Sequence, residues 1–312
     1  MDLNNKKSIR GAIGEELAEL GNTNPNIVAL DADLSGSTKT SIFAKAHPER
    51  FFNVGIAEQD LITTALGLSL TGKIPFAATF AVFATGRAYD QIRNSVCYQN
   101  GNVKIIGAHG GITVGEDGAS HQSLEDISLM RGLPNMTVVA PCDYYQARQA
   151  VKFAAEHDGP VYIRSSRIDV PCIYDENYEF NPNKAVILKE GKDVSILTYG
   201  DITYEVVLAV EKLSEQGIDA ELINVPVIKP LDTKTIAKSA KKTKLVITVE
   251  NHSVIGGLGS AVAEYLSENL PTKMLRLGIN DQFGQSGTPK DLLKYYNLDS
   301  EGIVEKVKEI VK

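Results

Sequence analysis

The sequence predicts an α/β protein built as two doubly wound α/β domains, residues 1–172 and 185–312. Three observations carry this. Short apolar runs of strand type alternate with amphipathic stretches of helix length along most of the chain, the pattern of a mainly parallel sheet covered by helices on both faces. The rhythm breaks over residues 168–190, where two prolines and no clear period read as a connection between domains. The length, 312 residues, suggests two such units.

In the first half, Ser8–Leu20 reads as a helix, Ile27–Leu30 as a buried strand and Asp31–Thr38 as a polar loop. Thr40–Ala46 is helical and Pro48 ends it. Strand Phe51–Val54 leads into an Ala- and Leu-rich helix over Gly55–Gly72. Strand Ile74–Thr79 leads into a long helical stretch, Phe80–Tyr98. Strand Val103–Gly107 is followed by a loop to residue 123. There a helix opens with Ser123 as its expected N-cap and Asp126 at capping-box distance. Strand Met136–Ala140, helix Asp143–Glu156 and strand Pro160–Arg164 complete this half. The second half repeats the alternation. Strands Val194–Gly200, Ala220–Val225, Lys244–Val249 and Lys273–Leu277 are separated by helices at Tyr204–Gly217, from about Thr233, and at Ala261–Asn269; two helices end the chain.

Composition excludes several function classes. Hydrophobic residues at 43% and charged residues at 23% describe an ordinary soluble globular protein. A net charge of -7 argues against a nucleic-acid or anionic-membrane surface. No stretch reaches the length of a membrane span, and the N-terminus lacks the apolar core of a signal peptide, so a cytoplasmic location is expected. Cys97, Cys142 and Cys172 are too far apart in sequence to suggest a zinc site or a disulfide framework, and each reads as a small buried hydrophobe.

Residues 107–123 are the strongest candidate for chemistry. Five glycines in this stretch exclude regular structure, and His109, Glu116, Asp117 and His121 are threaded among them. Loops of this length without structure are usually functional or disordered, and closely flanking apolar runs oppose disorder. The loop leaves the carboxyl end of its strand, where open α/β sheets bind ligands. Glu58 stands where a strand meets an apolar helix. It reads either as a first-turn glutamate favoured by the helix dipole or as a carboxyl able to exchange a proton with a ligand nitrogen. Phe80 and Phe83, three apart, suit core packing or the face of a flat ring. Arg10 and Arg167, near element ends, suit either the surface or an anion. Gly256-Gly-Leu-Gly259 reads as a tight turn feeding a helix, because it lacks the full dinucleotide fingerprint.

Taken in order, Gly55-Ile-Ala-Glu-Gln59, Thr79-Phe-Ala-Val-Phe83, Arg87-Ala-Tyr-Asp-Gln-Ile-Arg93, His109, Gly115-Glu-Asp-Gly118 with His121-Gln122, and Ile163-Arg-Ser-Ser-Arg167 resemble transketolases. Ile228-Lys-Pro-Leu-Asp232 and Val249-Glu250 resemble the last domain of that family. The resemblance spans essentially the whole chain. It implies a pyrimidine-binding domain followed by a transketolase C-terminal domain, and transfer of a two-carbon ketol unit from a ketose phosphate to an aldose phosphate through thiamine diphosphate. By resemblance, Glu58 meets N1′ of the aminopyrimidine and Phe83, with Phe80, stacks on that ring. His109, Asp117 and His121 contact the sugar, while Arg10, Ser37 and Arg167 grip its phosphate. Glu58, His109 and His121 are the residues expected to serve catalysis.

The family's Gly-Asp-Gly and following Asn, which hold the diphosphate and Mg²⁺, have only a poor match in Gly200-Asp201-Ile202 with Asn224, read here as a strand-end turn. The resemblance therefore implies an N-terminal partner subunit carrying the diphosphate-binding domain and the Mg²⁺ ligands. It further implies self-association, as a heterotetramer of two copies of each chain. A deoxyxylulose-phosphate synthase-like enzyme and a 2-oxoacid dehydrogenase β-type subunit are the alternatives. Gly110-Gly111 and Gly86 depart from what several members carry and leave the substrate range open.

Overall fold

A computed structural model describes residues 2–311. It contains two sheets and a small ribbon. The first sheet has seven strands in the order β12-β6-β7-β5-β4-β2-β3. Its members are β2 (Ile27–Asp31), β3 (Phe51–Asn53), β4 (Ile74–Phe80), β5 (Lys104–Ala108), β6 (Thr137–Val139), β7 (Val161–Arg164) and β12 (Val227–Lys229). All pairings are parallel except that of β12 with β6. The second sheet has the order β14-β13-β10-β11-β9, formed by β9 (Val186–Lys189), β10 (Val194–Thr198), β11 (Ala220–Asn224), β13 (Leu245–Ser253) and β14 (Lys273–Ile279). It is parallel apart from its edge strand β9. Strands β2 and β5 are buried at every position, as strands covered on both faces must be. One apolar cluster joins the sheets, from Leu30 and Ala77 in the first to Leu197 and Val246 in the second. Among the described residues no helix is long and apolar enough to cross a membrane.

Two expected helices form, each started by a cap that the sequence reading did not name. Helix α1 (Ile9–Thr23) starts where the Ser8 hydroxyl accepts the Gly11 N–H. Asp143 caps the helix Tyr144–Glu156 through one oxygen, and its other oxygen accepts the N–H groups of Ile173 and Tyr174. One carboxylate thus starts a helix and ties down the connection that leaves the first sheet.

Other expectations fail. The stretch 168–190 is not irregular throughout: β8 (Asp169–Cys172) pairs antiparallel with β1 (Asp2–Ser8), and β9 lies at the edge of the second sheet. Residues 227–229, expected to belong wholly to the second half, close an edge of the first sheet. The long helix over Phe80–Tyr98 is broken into wide π-type turns at Phe83–Arg87 and Gln91–Cys97. Ser123 is not an N-cap. The helix begins at Asp126 without a side-chain cap, and the Asp126 carboxylate turns inward to Tyr162 and Arg164. A buried cation 38 positions further along the chain, Arg164, outcompeted the local cap.

Candidate active site

The carboxyl ends of the first sheet's strands meet at one corner. Strand β4 ends at Phe80, and Phe83 follows in the first wide turn. Their rings stack with centroids 5.8 Å apart and planes 16° apart. Strand β5 delivers His109, whose ring lies 4.0 Å from that of Phe80 at 27°. The loop returns His121 edge-on to Phe83, 5.4 Å away at 73°. Two phenyl rings and two imidazoles therefore form one wall, in geometries worth roughly 0.5–1.5 kcal/mol per aromatic pair beyond burial.

Glu58 opens the helix Glu58–Leu70 and is 2% exposed. Its Oε1 accepts a hydrogen bond from Arg87 Nη1 at 2.8 Å, and the Arg87 guanidinium lies over the Phe83 ring at 4.6 Å. Its Oε2 is buried with no partner. The two readings of Glu58 are compatible: it stands in a first turn, and it keeps a free acceptor in a dry place. Such an atom costs about 1–3 kcal/mol in a closed fold, which marks a position where a ligand supplies the partner.

The other end of the wall is cationic. Arg10 Nη1 donates to the Ser37 carbonyl at 2.7 Å, and Arg10 Nε is buried without a partner. Arg167 Nη1 donates to the Val114 carbonyl at 2.6 Å and pairs with Asp117 at 3.3 Å and Glu116 at 3.8 Å. Burial foremost, then Arg10, Arg167 and His121, push the His109 pKa down to about 3. His109 is therefore neutral at ordinary pH, and its buried Nδ1 has no partner. Burial, then Arg167, also lower the Arg10 pKa. Cations that disfavour one another in a partly buried corner suit an anionic ligand.

The structure thus brings Arg10, Ser37, Glu58, Phe80, Phe83, His109, Asp117, His121 and Arg167 to one corner. Ser37 reaches the cluster through its backbone carbonyl, and Asp117 is exposed. The sequence reading missed a role for Arg87, although Arg87 lay inside a quoted motif. Residues of the weak metal match are spent elsewhere. Asp201 accepts from Thr113 Oγ1 at 2.5 Å, and Asn224 Oδ1 accepts from Gln146 and Tyr174. Among the described residues no three His, Cys, Asp or Glu side chains are grouped to hold a metal ion.

Comparison with known proteins follows this division. The family model of the transketolase pyrimidine binding domain matches residues 5–172, and that of the transketolase C-terminal domain matches 183–303. A solved structure described as a split gene transketolase, inactive β4 tetramer, superposes with a TM-score of 0.91 at 52% identity, covering 97% of this chain and 98% of its own. The 6-deoxy-6-sulfo-D-fructose transketolase subunit of Clostridium sp. is 44% identical over 97% of this chain and 94% of its own length. Human transketolase is 36% identical over 98% of this chain, which spans 49% of the human protein.

Proposed function

This chain belongs to the transketolase family as a split, C-terminal subunit, and we propose that it transfers a two-carbon ketol unit from a ketose phosphate to an aldose phosphate once joined by an N-terminal subunit. The observation that carries the proposal is the corner itself. A half-satisfied buried carboxylate, an aromatic wall and a pair of guanidiniums stand in sequence across it.

The family implies thiamine diphosphate, which when bound supplies a nucleophilic thiazolium carbon and an aminopyrimidine that relays its proton. The residues here fit one half of it. Glu58 would hold a proton at N1′ through the oxygen that lacks a partner, and Phe83 with Phe80 would face the pyrimidine ring. His121, on the same wall, would contact the sugar near its reacting carbonyl. Neutral His109 can donate from one nitrogen and accept at the other, which suits a sugar hydroxyl. Asp117 would hold a donor hydroxyl. Arg10 and Arg167, with Ser37, would hold the phosphate, with Arg167 exchanging its contact to Asp117 for phosphate oxygens.

The one poor match to the family's diphosphate and Mg²⁺ motif has its Asp201 and Asn224 bonded elsewhere, so we assign the ligands of both to the partner subunit. The active form is then a heterotetramer of two copies of each chain. The inactive assembly named for the 52% identical relative supports a chain that associates with itself but does not turn over alone. The sulfo-sugar in the name of the Clostridium relative leaves the terminal anion as the finer question; a cationic corner favours an anion, and we assign it as phosphate. The test is a coupled assay with xylulose 5-phosphate and ribose 5-phosphate, run with the N-terminal subunit present. Ketol transfer is expected. Its absence in a complex that binds thiamine diphosphate tightly would overturn the substrate assignment.

A further inference from the structure

A buried polar layer lies beneath the glycine loop, and no role assigned above uses it. Its side chains occupy the places that the loop's Cβ atoms would take. A Cβ on Gly107 would fall 2.1 Å from Tyr162 Oη, one on Gly110 2.5 Å from Arg164 Nε, and one on Gly111 2.4 Å from the Asn251 amide. Tyr162 and Arg164 belong to β7 and Asn251 to β13, so both sheets contribute.

Hydrogen bonds link the layer, although Asp126 Oδ1 is buried without a partner. Asp126 Oδ2 accepts from Tyr162 Oη and from Arg164 Nε, each at 2.8 Å. Arg164 Nη2 donates to the Asn251 backbone carbonyl at 2.9 Å. Asn251 Oδ1 accepts the Ile112 N–H at 2.8 Å, and its Nδ2 donates to Thr113 Oγ1 at 3.1 Å and Asp201 Oδ2 at 3.2 Å. Two of these contacts fall on Ile112 and Thr113, three and four positions after His109.

His109 itself has φ +61°, in the left-handed region that few side chains occupy, histidine among those that do so more often. The backbone on its far side is held by Gly110 N–H to Ser165 O at 3.0 Å and Gly111 N–H to Ser123 O at 2.9 Å. Gly110 does not have a positive φ, so its backbone tolerates a side chain; the three atoms nearest to a Cβ there all belong to Arg164, at 2.5–3.0 Å. A purely apolar floor could hold the sheets together as well. It could not fix Ile112 N–H, nor hold the loop against one set of donors and acceptors.

We infer that Arg164 and Asn251 are positioning residues for His109, and that the second sheet thereby takes part in building the substrate site. The inference rests on the proposed role of His109 as a sugar contact. Its test needs no activity in the first instance. In the chain labelled with ¹³C-histidine, the His109 Cε1–H resonance is assigned with His109→Gln. Asn251→Ala and Gly110→Ala should each shift or split it while the His47 and His157 resonances stay in place. Thr113→Val, a smaller change, should shift it in the same direction and by less.

In the complex with the N-terminal subunit, Asn251→Ala should lower kcat/KM for the aldose acceptor by about ten- to a hundredfold, the scale of a slightly misplaced contact. Thiamine diphosphate affinity should be unchanged. An unmoved His109 resonance in folded Gly110→Ala and Thr113→Val overturns the inference, whether or not Asn251→Ala folds, and leaves the proposed reaction standing. A moved resonance with wild-type kinetics overturns the role of His109, and with it the purpose assigned to the layer.

Discussion

Two buried glutamates, one serving each sheet, show how the same side chain is used in opposite ways. Glu250 lies near the end of β13 and is fully satisfied. Its Oε1 accepts the Gly259 N–H at 3.0 Å, and its Oε2 accepts the Leu258 N–H at 2.8 Å and Tyr199 Oη at 3.3 Å. It caps the helix Leu258–Asn269, and Gly257 is glycine because a Cβ there would lie 2.0 Å from that carboxylate. Glu58 is as deeply buried, yet only Arg87 meets it and Oε2 is left over. The first carboxylate completes a turn. The second is left incomplete by its own chain, which is what a binding group needs and a structural group avoids.

Replacing each by glutamine should separate them. In the assembled enzyme, Glu58→Gln should lower turnover by roughly a hundred- to ten-thousand-fold with the melting temperature nearly unchanged, because glutamine fills the space but cannot share the N1′ proton. Glu250→Gln should do the reverse. It weakens charge-assisted bonds worth about 1.5–3 kcal/mol each, so the melting temperature should drop by several degrees while kcat changes little. Calorimetric melting beside steady-state kinetics reads both effects, and equal losses of activity in the two variants would erase the distinction.

A smaller effect sharpens the cationic end. Arg167→Ala should raise KM for a phosphorylated acceptor roughly ten- to hundredfold more than for glycolaldehyde, the equivalent of about 1.5–3 kcal/mol for a hydrogen bond to a charged group. Equal changes for the two acceptors would remove Arg167 from the phosphate site. An effect on stability, with none on activity required, concerns His109. Its folded-state pKa is depressed to about 3 against an ordinary 6.5. Between those values the unfolded chain binds a proton that the folded chain refuses. Stability is therefore full above about pH 6.5 and falls as pH drops toward 3, by at most about 1.4 kcal/mol per pH unit from this group. Denaturation of His109→Gln should show a shallower loss over that window. An unchanged slope would show that His109 is not held neutral.

Legibility in the sequence followed distance along the chain. The strands Ile27–Asp31 and Lys104–Ala108 were readable because burial on both faces leaves a continuous apolar run. Helix α1 and the helix after Asp143 were readable as helices, although their caps, Ser8 and Asp143, were not singled out. The corner's residues other than Arg10 and Ser37 lay in ordered motifs, whereas pattern alone left Glu58 and the phenylalanine pair with two readings each. What stayed hidden was set by partners far away. Ser123 looks like a cap, but Asp126 is drawn to Arg164, 38 positions on. Val227–Lys229 becomes a strand only because β6 offers an open edge. Asn251 gains its importance from Ile112, 139 positions earlier, and no local signal could have paired them.

The central claim is that this chain supplies one half of a cofactor site. Calorimetric titration of thiamine diphosphate with Mg²⁺, into the isolated chain and into its mixture with the N-terminal subunit, tests it most directly. On the proposed reading Glu58 and the aromatic wall would meet the pyrimidine, and among the described residues no three His, Cys, Asp or Glu side chains are grouped to take the metal. Weak or undetectable binding is predicted for the chain alone, with tight binding appearing only in the mixture. Tight binding and ketol transfer by the isolated chain would contradict the account.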